Sequence, residues 1–318
     1  MIEVTDLHKS FGTKKAVDGI AFSVKKGEVL GFLGPNGAGK STTMRIITGY
    51  LPATSGEVQV AGRHIARHPE AAKSLIGYLP ESAPLYSDMT VSSFLAFCAE
   101  LRGLRGARRK PAIERVIDMC FLGKVRNQSI DTLSKGYRHR TCLAQSLLHD
   151  PEVLILDEPT DGLDPNQKHE IRSLIREMGK EKAIIFSTHI LEEVEAACTR
   201  AIIIDQGRIV ADGTPGELLN RAPGAGSVRF RLRGLAASGI AAEIRKLGLC
   251  ANVETADSGE NHLEGVAIPK KPNQSGDLAS AIFDLAKSRN WDLQALHVEK
   301  GRLDEVFRKI TSADNRAA

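Results

Sequence analysis

Apolar residues along this chain gather in short unbroken runs, separated by stretches with helical spacing. Val29-Leu30-Gly31-Phe32-Leu33, Val153-Leu154-Ile155-Leu156, Ala183-Ile184-Ile185-Phe186-Ser187 and Ala201-Ile202-Ile203-Ile204 are the clearest runs. A strand with one face in water alternates apolar and polar residues. An unbroken run instead fits a strand buried on both faces, as in a parallel sheet. Such strands alternating with helices over the first 215 residues predict an α/β layered core. Between about 86 and 148 the character changes. Residues 90–102, 111–121 and 134–149 have helical spacing and no strand-like run, which predicts an all-helical insert in that core.

Arg-Ala-Pro-Gly-Ala-Gly-Ser at 221–227 reads as a linker. Beyond it, Val228-Arg-Phe-Arg-Leu-Arg233 alternates strictly and predicts a half-buried strand. A helix at about 236–247, strands at 249–255 and 263–268, a helix at 276–289, a strand at 292–298 and a helix at 302–311 are expected to follow. That order, βαββαβ plus one helix, points to a small ferredoxin-like α+β domain over 228–318. Arg229, Arg231 and Arg233 share its outer face, either merely solvated or as a partner surface. The cluster Arg102, Arg105, Arg108, Arg109 and Lys110 in the helical insert leaves a similar choice: a solvated connection, or contact with lipid phosphates or a membrane partner.

Composition narrows the class. At roughly 150 residues per domain, 318 residues suggest two domains. Hydrophobic residues at 42% and charged residues at 26% exclude disorder as the main state, and 29 scattered glycines exclude a coiled-coil rod. A net charge of +4 is too weak to predict nucleic-acid binding, and none is expected. No stretch free of Asp, Glu, Lys and Arg is longer than eleven residues. A membrane-spanning helix needs about 20 apolar ones. The N-terminus Met1-Ile2-Glu3-Val4-Thr5-Asp6 lacks the apolar core of a signal peptide. Five widely spaced cysteines without a CxxC pair fit a reduced, cytoplasmic protein.

The chemistry begins at Gly34-Pro35-Asn36-Gly37-Ala38-Gly39-Lys40-Ser41-Thr42, which satisfies G-x-x-x-x-G-K-[ST] between an apolar strand and a helix. Glycines there let backbone N–H groups turn inward around phosphate oxygens, and the helix adds its positive end. Lys40 supplies a point charge for β- and γ-phosphates, and the Ser41 hydroxyl suits Mg²⁺. Val153–Leu156 runs into Asp157-Glu158-Pro159, placing two carboxylates at the C-terminal tip of a buried strand, the edge where such sheets bind ligands. Asp157 can hold the Mg²⁺ shell and Glu158 can polarise an attacking water. Leu133-Ser134-Lys135-Gly136-Tyr137-Arg138 opens a helix 24 residues ahead of Glu158, making a second helix start suited to an anion.

Together, GPNGAGKST, LSKGYRHR, VLILDEPT, GLDP and STH resemble the ATP-binding subunit of an ABC transporter, with every motif in family order over residues 1 to about 220. IGYLPE, APLY and LSKGYR are similar to the gliding-motility-type subfamily, whose ATPases pair with separate efflux-type permeases. The resemblance implies a P-loop ABC-type fold with a helical subdomain at about 86–148, and ATP and Mg²⁺ as cofactors. It also implies ATP hydrolysis. Gly34, Asn36, Gly37, Gly39, Lys40, Ser41 and Thr42 match the phosphate loop. Asp157 matches the metal carboxylate, Glu158 the general base and His189 the residue that meets the γ-phosphate. Phe11 matches the aromatic that stacks on adenine, though a core position is the other reading. Glu81 stands where the family usually has a Gln sensing metal and γ-phosphate. Ser134 and Gly136 match the signature motif, which departs from the usual pattern at Lys135 and Tyr137. Asp164 matches the loop that crosses between subunits.

In that family the signature motif cannot reach its own phosphate loop. The resemblance therefore implies a head-to-tail homodimer around two ATP, driving an integral membrane permease in the export direction, from the cytoplasmic face of the cell membrane. The competing class is a soluble ABC-type mechanochemical ATPase acting on ribosomes or DNA.

Overall fold

The computed structural model describes residues 1–82, 84–222, 224–233, 237–257 and 262–299. The chain divides into two compact units, Met1–Pro215 and Gly216–Ala318.

The first unit begins β1 (Ile2–Phe11), β2 (Lys14–Val24), β3 (Val29–Leu33), α1 (Lys40–Ile47), β4 (Ser55–Val60), β5 (Arg63–His64), α2 (Pro69–Lys73) and β6 (Ile76–Leu79). The helical stretch follows with α3 (Val91–Leu101), α4 (Arg109–Met119) and α5 (Lys135–Leu147). The unit returns to the sheet through β7 (Val153–Asp157), α6 (Pro165–Met178), β8 (Ala183–Thr188), α7 (Leu191–Ala197), β9 (Arg200–Asp205) and β10 (Arg208–Gly213), and α8 (Pro215–Leu219) lies across the division.

The central sheet runs β10-β9-β3-β8-β7-β6. Its pairs from β9 to β6 are parallel, and β10 is an antiparallel edge. Its strands are the unbroken apolar runs, and the packing shows why they had to be apolar throughout. On β7, Val153 and Ile155 face one core, with Met44 and Phe32, while Leu154 and Leu156 face another, with Phe94 and Leu143 of the helical stretch. On β8, Ile185 joins the first core and Ile184 and Phe186 the second. No position on either strand is left for water.

A second sheet of order β2-β1-β4-β5 closes the first core, and the apolar runs did not foretell it. Its strands are antiparallel and half exposed. Their alternation is broken by register shifts, as between Val4 and Leu7, where Asp6 takes a φ of 44°. Such a break hides a strand from a period-2 reading.

The second unit contains β11 (Val228–Arg233), α9 (Ala237–Lys246), β12 (Cys250–Asp257), β13 (His262–Pro269), α10 (Ser275–Ser288) and β14 (Asp292–Val298). Its antiparallel sheet has the order β12-β13-β11-β14 over a core of its own that includes Phe230, Ile244, Leu278 and Ile282. Arg229 and Arg231 stand on the outer face and pair with Glu299 and Glu264. The 221–227 segment is not wholly free, because the backbones of Gly226 and Ser227 bond that of Glu299. The helix expected at 302–311 lies outside the described residues.

Candidate active site

The loop from β3 to α1 builds the floor of a cleft of about 410 Å³ lined by Asn36, Gly37, Gly39, Lys40, Ser41 and Thr42, with Phe11, Lys14, Ala16, Glu81 and Glu158 around it. Gly39 is the position that only glycine satisfies. It has φ 109°, and a Cβ would lie 2.4 Å from the Ala16 carbonyl oxygen. Gly34 is forced by proximity, since its Cβ would lie 2.4 Å from the Ile204 carbonyl oxygen. The helix after this loop starts at Lys40 with no side-chain cap, so its first N–H groups remain available to a ligand.

Lys40 is 6% exposed, and its ammonium donates to the carbonyls of Gly34 at 2.7 Å and Pro35 at 3.2 Å. Burial lowers its pKa, while Glu158, Asp157 and Glu81 oppose that shift. Asp157 is fully buried at the tip of β7. Its Oδ1 accepts from Ser41 Oγ at 3.2 Å and from Ser187 Oγ at 2.5 Å, whereas Oδ2 has no hydrogen-bond partner among the described residues. Ser187, the first residue of the STH motif, was given no role of its own, yet its hydroxyl also accepts from Glu158 N at 3.0 Å and it belongs to this group. It carries no recognisable spacing signal except its place two residues before His189.

Glu158 leaves the strand with φ 51°, a left-handed conformation uncommon for a non-glycine and typical of sites where the backbone is held for a purpose. Its carboxylate meets His189 Nδ1 at 3.1 Å. Burial raises its pKa, and the His189 hydrogen bond opposes the shift. The exposed side chain of His189 thus adjoins the carboxylate. Phe11 is 51% exposed on the cleft wall, with Lys9 Nζ 5.1 Å from its ring centre. The core reading of Phe11 is therefore set aside.

Ser134, Gly136 and Asp164 do not line this cleft. Ser134 caps α5, accepting from Tyr137 N at 3.3 Å, and is exposed. Gly136 is buried, and a Cβ there would lie 2.7 Å from Gln167 Oε1. Asp164 caps α6 through Gln167 N at 2.9 Å. Lys135, one of the departures from the usual signature, pairs with Asp161 at 2.7 Å. Among the described residues no three of His, Cys, Asp or Glu gather as a metal cluster, and no helix is long and apolar enough to cross a membrane.

The ABC transporter family profile matches residues 17–161. The chain is 33% identical over 312 residues, 98% of each protein, to the linearmycin resistance ATP-binding protein LnrL of Bacillus subtilis. It belongs to the ABC transporter ATP-binding family. The likeness to LnrL spans both units, whereas the other relatives named below cover about two thirds of this chain. The Nod factor export ATP-binding protein I of Ralstonia nicotianae is 37% identical, covering 69% of this chain and 68% of that protein. The probable multidrug ABC transporter ATP-binding protein YbhF of Escherichia coli is 38% identical over 69% of this chain and 38% of its own length. A solved ATP-binding subunit of an ABC transporter superposes with TM-score 0.64 at 30% identity, covering 69% of this chain and 91% of that one. A dimeric ATP-binding cassette solved after hydrolysis with ADP and Pi shares the fold, with TM-score 0.63, 22% identity and coverage of 68% and 99%. As a member of this family the ABC subunit binds and hydrolyses ATP, and subunits of this kind work as dimers with membrane permeases.

Proposed function

We propose that ATP lies in this cleft with its phosphates on the loop 34–42 and its base against Phe11, and that hydrolysis requires a second copy of the chain. The observation that carries this reading is the split of the motifs. The phosphate loop, Glu81 and Glu158 line one cleft, while Ser134 stands outside it. In a head-to-tail pair, Ser134, Gly136 and Asp164 of one subunit face the nucleotide of the other, so ATP becomes part of the interface.

The donors present fit a Mg²⁺ ion. Ser41 Oγ and the unpartnered Oδ2 of buried Asp157 are hard oxygens beside the phosphate loop, and Glu81 offers a further one from the cleft wall. Two or three protein oxygens suit a cation held mostly by phosphates and water. When bound, the ion neutralises charge on the phosphates. Lys40 exchanges its contacts with the Gly34 and Pro35 carbonyls for phosphate oxygens. Glu158, whose basicity burial increases, accepts the proton of the attacking water, and His189 holds that carboxylate in place and meets the γ-phosphate.

Work follows from the two-state cycle of closing on ATP and opening after hydrolysis. The partner proposed for that work is a separate membrane permease, in the export direction, with the ATPase on the cytoplasmic membrane face. Two features support this: the exporters and resistance proteins among the named relatives, and a pocket beside Glu81 that includes Leu85. Exposed Tyr86, stacked edge-on to Phe97 at 5.5 Å, presents an aromatic for a permease helix. We assign residues 1–220 to the ATP-binding domain with its helical subdomain at 86–148. The 228–318 region is assigned to a ferredoxin-like accessory domain, supported by its βαββαβ order.

Glu158→Gln tests the reading. It keeps shape and removes the basic carboxylate, so the expected protein binds ATP, fails to turn it over and accumulates as an ATP-dependent dimer in sedimentation. Near-normal ATPase activity overturns the assignment.

A further inference from the structure

Glu193, in the first turn of α7, is a carboxylate with no exposed surface and no place in the cleft. Its Oε1 accepts from Thr160 Oγ1 at 2.5 Å and its Oε2 from Thr188 Oγ1 at 2.8 Å. Lys168 Nζ stands 3.6 Å from Oε1. Both threonines are buried as well. A charge in such a position is costly unless it is paired and hydrogen-bonded, and removing it orphans the groups it bonds.

The two threonines tie Glu193 to the reacting groups. Thr160 lies two residues beyond Glu158, on the loop that leaves β7. Thr188 ends β8 and immediately precedes His189, and its hydroxyl also accepts from Ile190 N at 3.0 Å on the far side. One carboxylate therefore grips the segment carrying Glu158 with one oxygen and the segment carrying His189 with the other. β7 and β8 are adjacent strands, but their pairing ends at Asp157 and Ser187. Past that point no ladder bond sets the separation of Glu158 and His189, which meet at 3.1 Å.

We propose that Glu193 is a positioning residue for ATP hydrolysis: its two oxygens brace Thr160 and Thr188 and so hold Glu158 and His189 in register. This rests on the assignment of Glu158 and His189 to hydrolysis. A Gln at 193 has one acceptor oxygen and one amino group, so one threonine must reverse its bond, and the charge facing Lys168 is lost. A shift of even about 1 Å in a reacting group can cost about 100-fold in rate, so a weakened brace is expected to cost about 10-fold.

The experiment measures kcat per ATP-binding site, ATP affinity and the number of binding sites on the full chain. The variants are Glu193→Gln, Thr188→Val and Thr188→Ser, beside wild type and Glu158→Gln. Counting per site removes misfolded protein from the comparison. The expected result is a kcat down about 10-fold in Glu193→Gln and Thr188→Val with ATP affinity within about twofold, and recovery of most of that loss in Thr188→Ser, which keeps the hydroxyl. Unchanged kcat per site in both Glu193→Gln and Thr188→Val overturns the proposal, as does a loss confined to the number of sites. If Glu193→Gln does not fold, the Val and Ser pair decides alone. A wild type that hydrolyses while Glu158→Gln does not, with Glu193→Gln and Thr188→Val both as fast as wild type, removes the brace and leaves the assignment of Glu158 standing. Hydrolysis by Glu158→Gln removes the assignment itself.

Discussion

Glu81 lines the cleft together with Lys40, and its carboxylate is among those that hold the Lys40 ammonium in its charged form. A second anion beside a phosphate is repulsive unless a cation or a proton intervenes. Glu81→Gln removes that repulsion and keeps an oxygen for a metal. It is expected to leave Mg·ATP hydrolysis within about tenfold of wild type, a change of about 1.4 kcal/mol or less. It is also expected to strengthen ATP binding once EDTA has removed the metal. Isothermal titration of both forms with and without EDTA checks this, and equal affinities in EDTA show that Glu81 points away from the nucleotide. Asp157 differs from Glu81 in burial: it is held by two serine hydroxyls at the strand tip.

At the scale of elements, the chain after α5 is joined to the sheet by a histidine that burial holds in its neutral form. His149 Nε2 meets the Ile76 carbonyl at 3.1 Å, and buried Nδ1 has no partner among the described residues. Burial pushes its pKa down to about 4, with the Arg102 charge adding to the shift. The ordinary value is about 6.5, so between those limits the unfolded chain binds the extra proton and the folded chain does not. Stability from this site is complete above about pH 6.5 and is lost as the pH falls toward 4. At pH 5 the expected loss is about 1–2 kcal/mol, allowing for partial exposure. His149→Gln retains an N–H donor without the titration. Urea unfolding at pH 7 and pH 5 is expected to show a smaller acid loss in the variant than in wild type.

For the whole molecule, the separation of Ser134 from the cleft sets the prediction. Ser134→Arg puts a bulky cation where a second subunit's phosphates are proposed to sit, yet leaves each chain's own phosphate loop intact. It is expected to bind ATP as a monomer and to lose hydrolysis. Mixed with Lys40→Ala, it can form at most one site with an intact loop facing an intact Ser134, so ATPase activity is expected to return to no more than half of the wild-type rate. Normal hydrolysis by Ser134→Arg alone is incompatible with the sandwich. The two units have separate hydrophobic cores, and the likeness to LnrL runs through both.

What the sequence determined by itself is local or periodic chemistry. Strands β3, β7 and β8 were legible because burial on both faces demands unbroken apolar runs. The phosphate loop was legible because Gly39 and Lys40 must sit at fixed spacing for a backbone cradle to form. The first strand of the second unit showed itself through the strict alternation of Val228–Arg233. The antiparallel sheet escaped because bulges such as that at Asp6 break its period. Only the tertiary structure decided which motifs share a cleft. It brought Ser187 onto Asp157, Glu158 onto His189 and Glu193 onto two threonines, and it left Ser134 outside. Apart from the Glu193–Thr188 bond, those contacts join residues some 30 positions apart. A hydrogen bond depends on separation in space, which strand order and register set and which spacing along one chain does not carry.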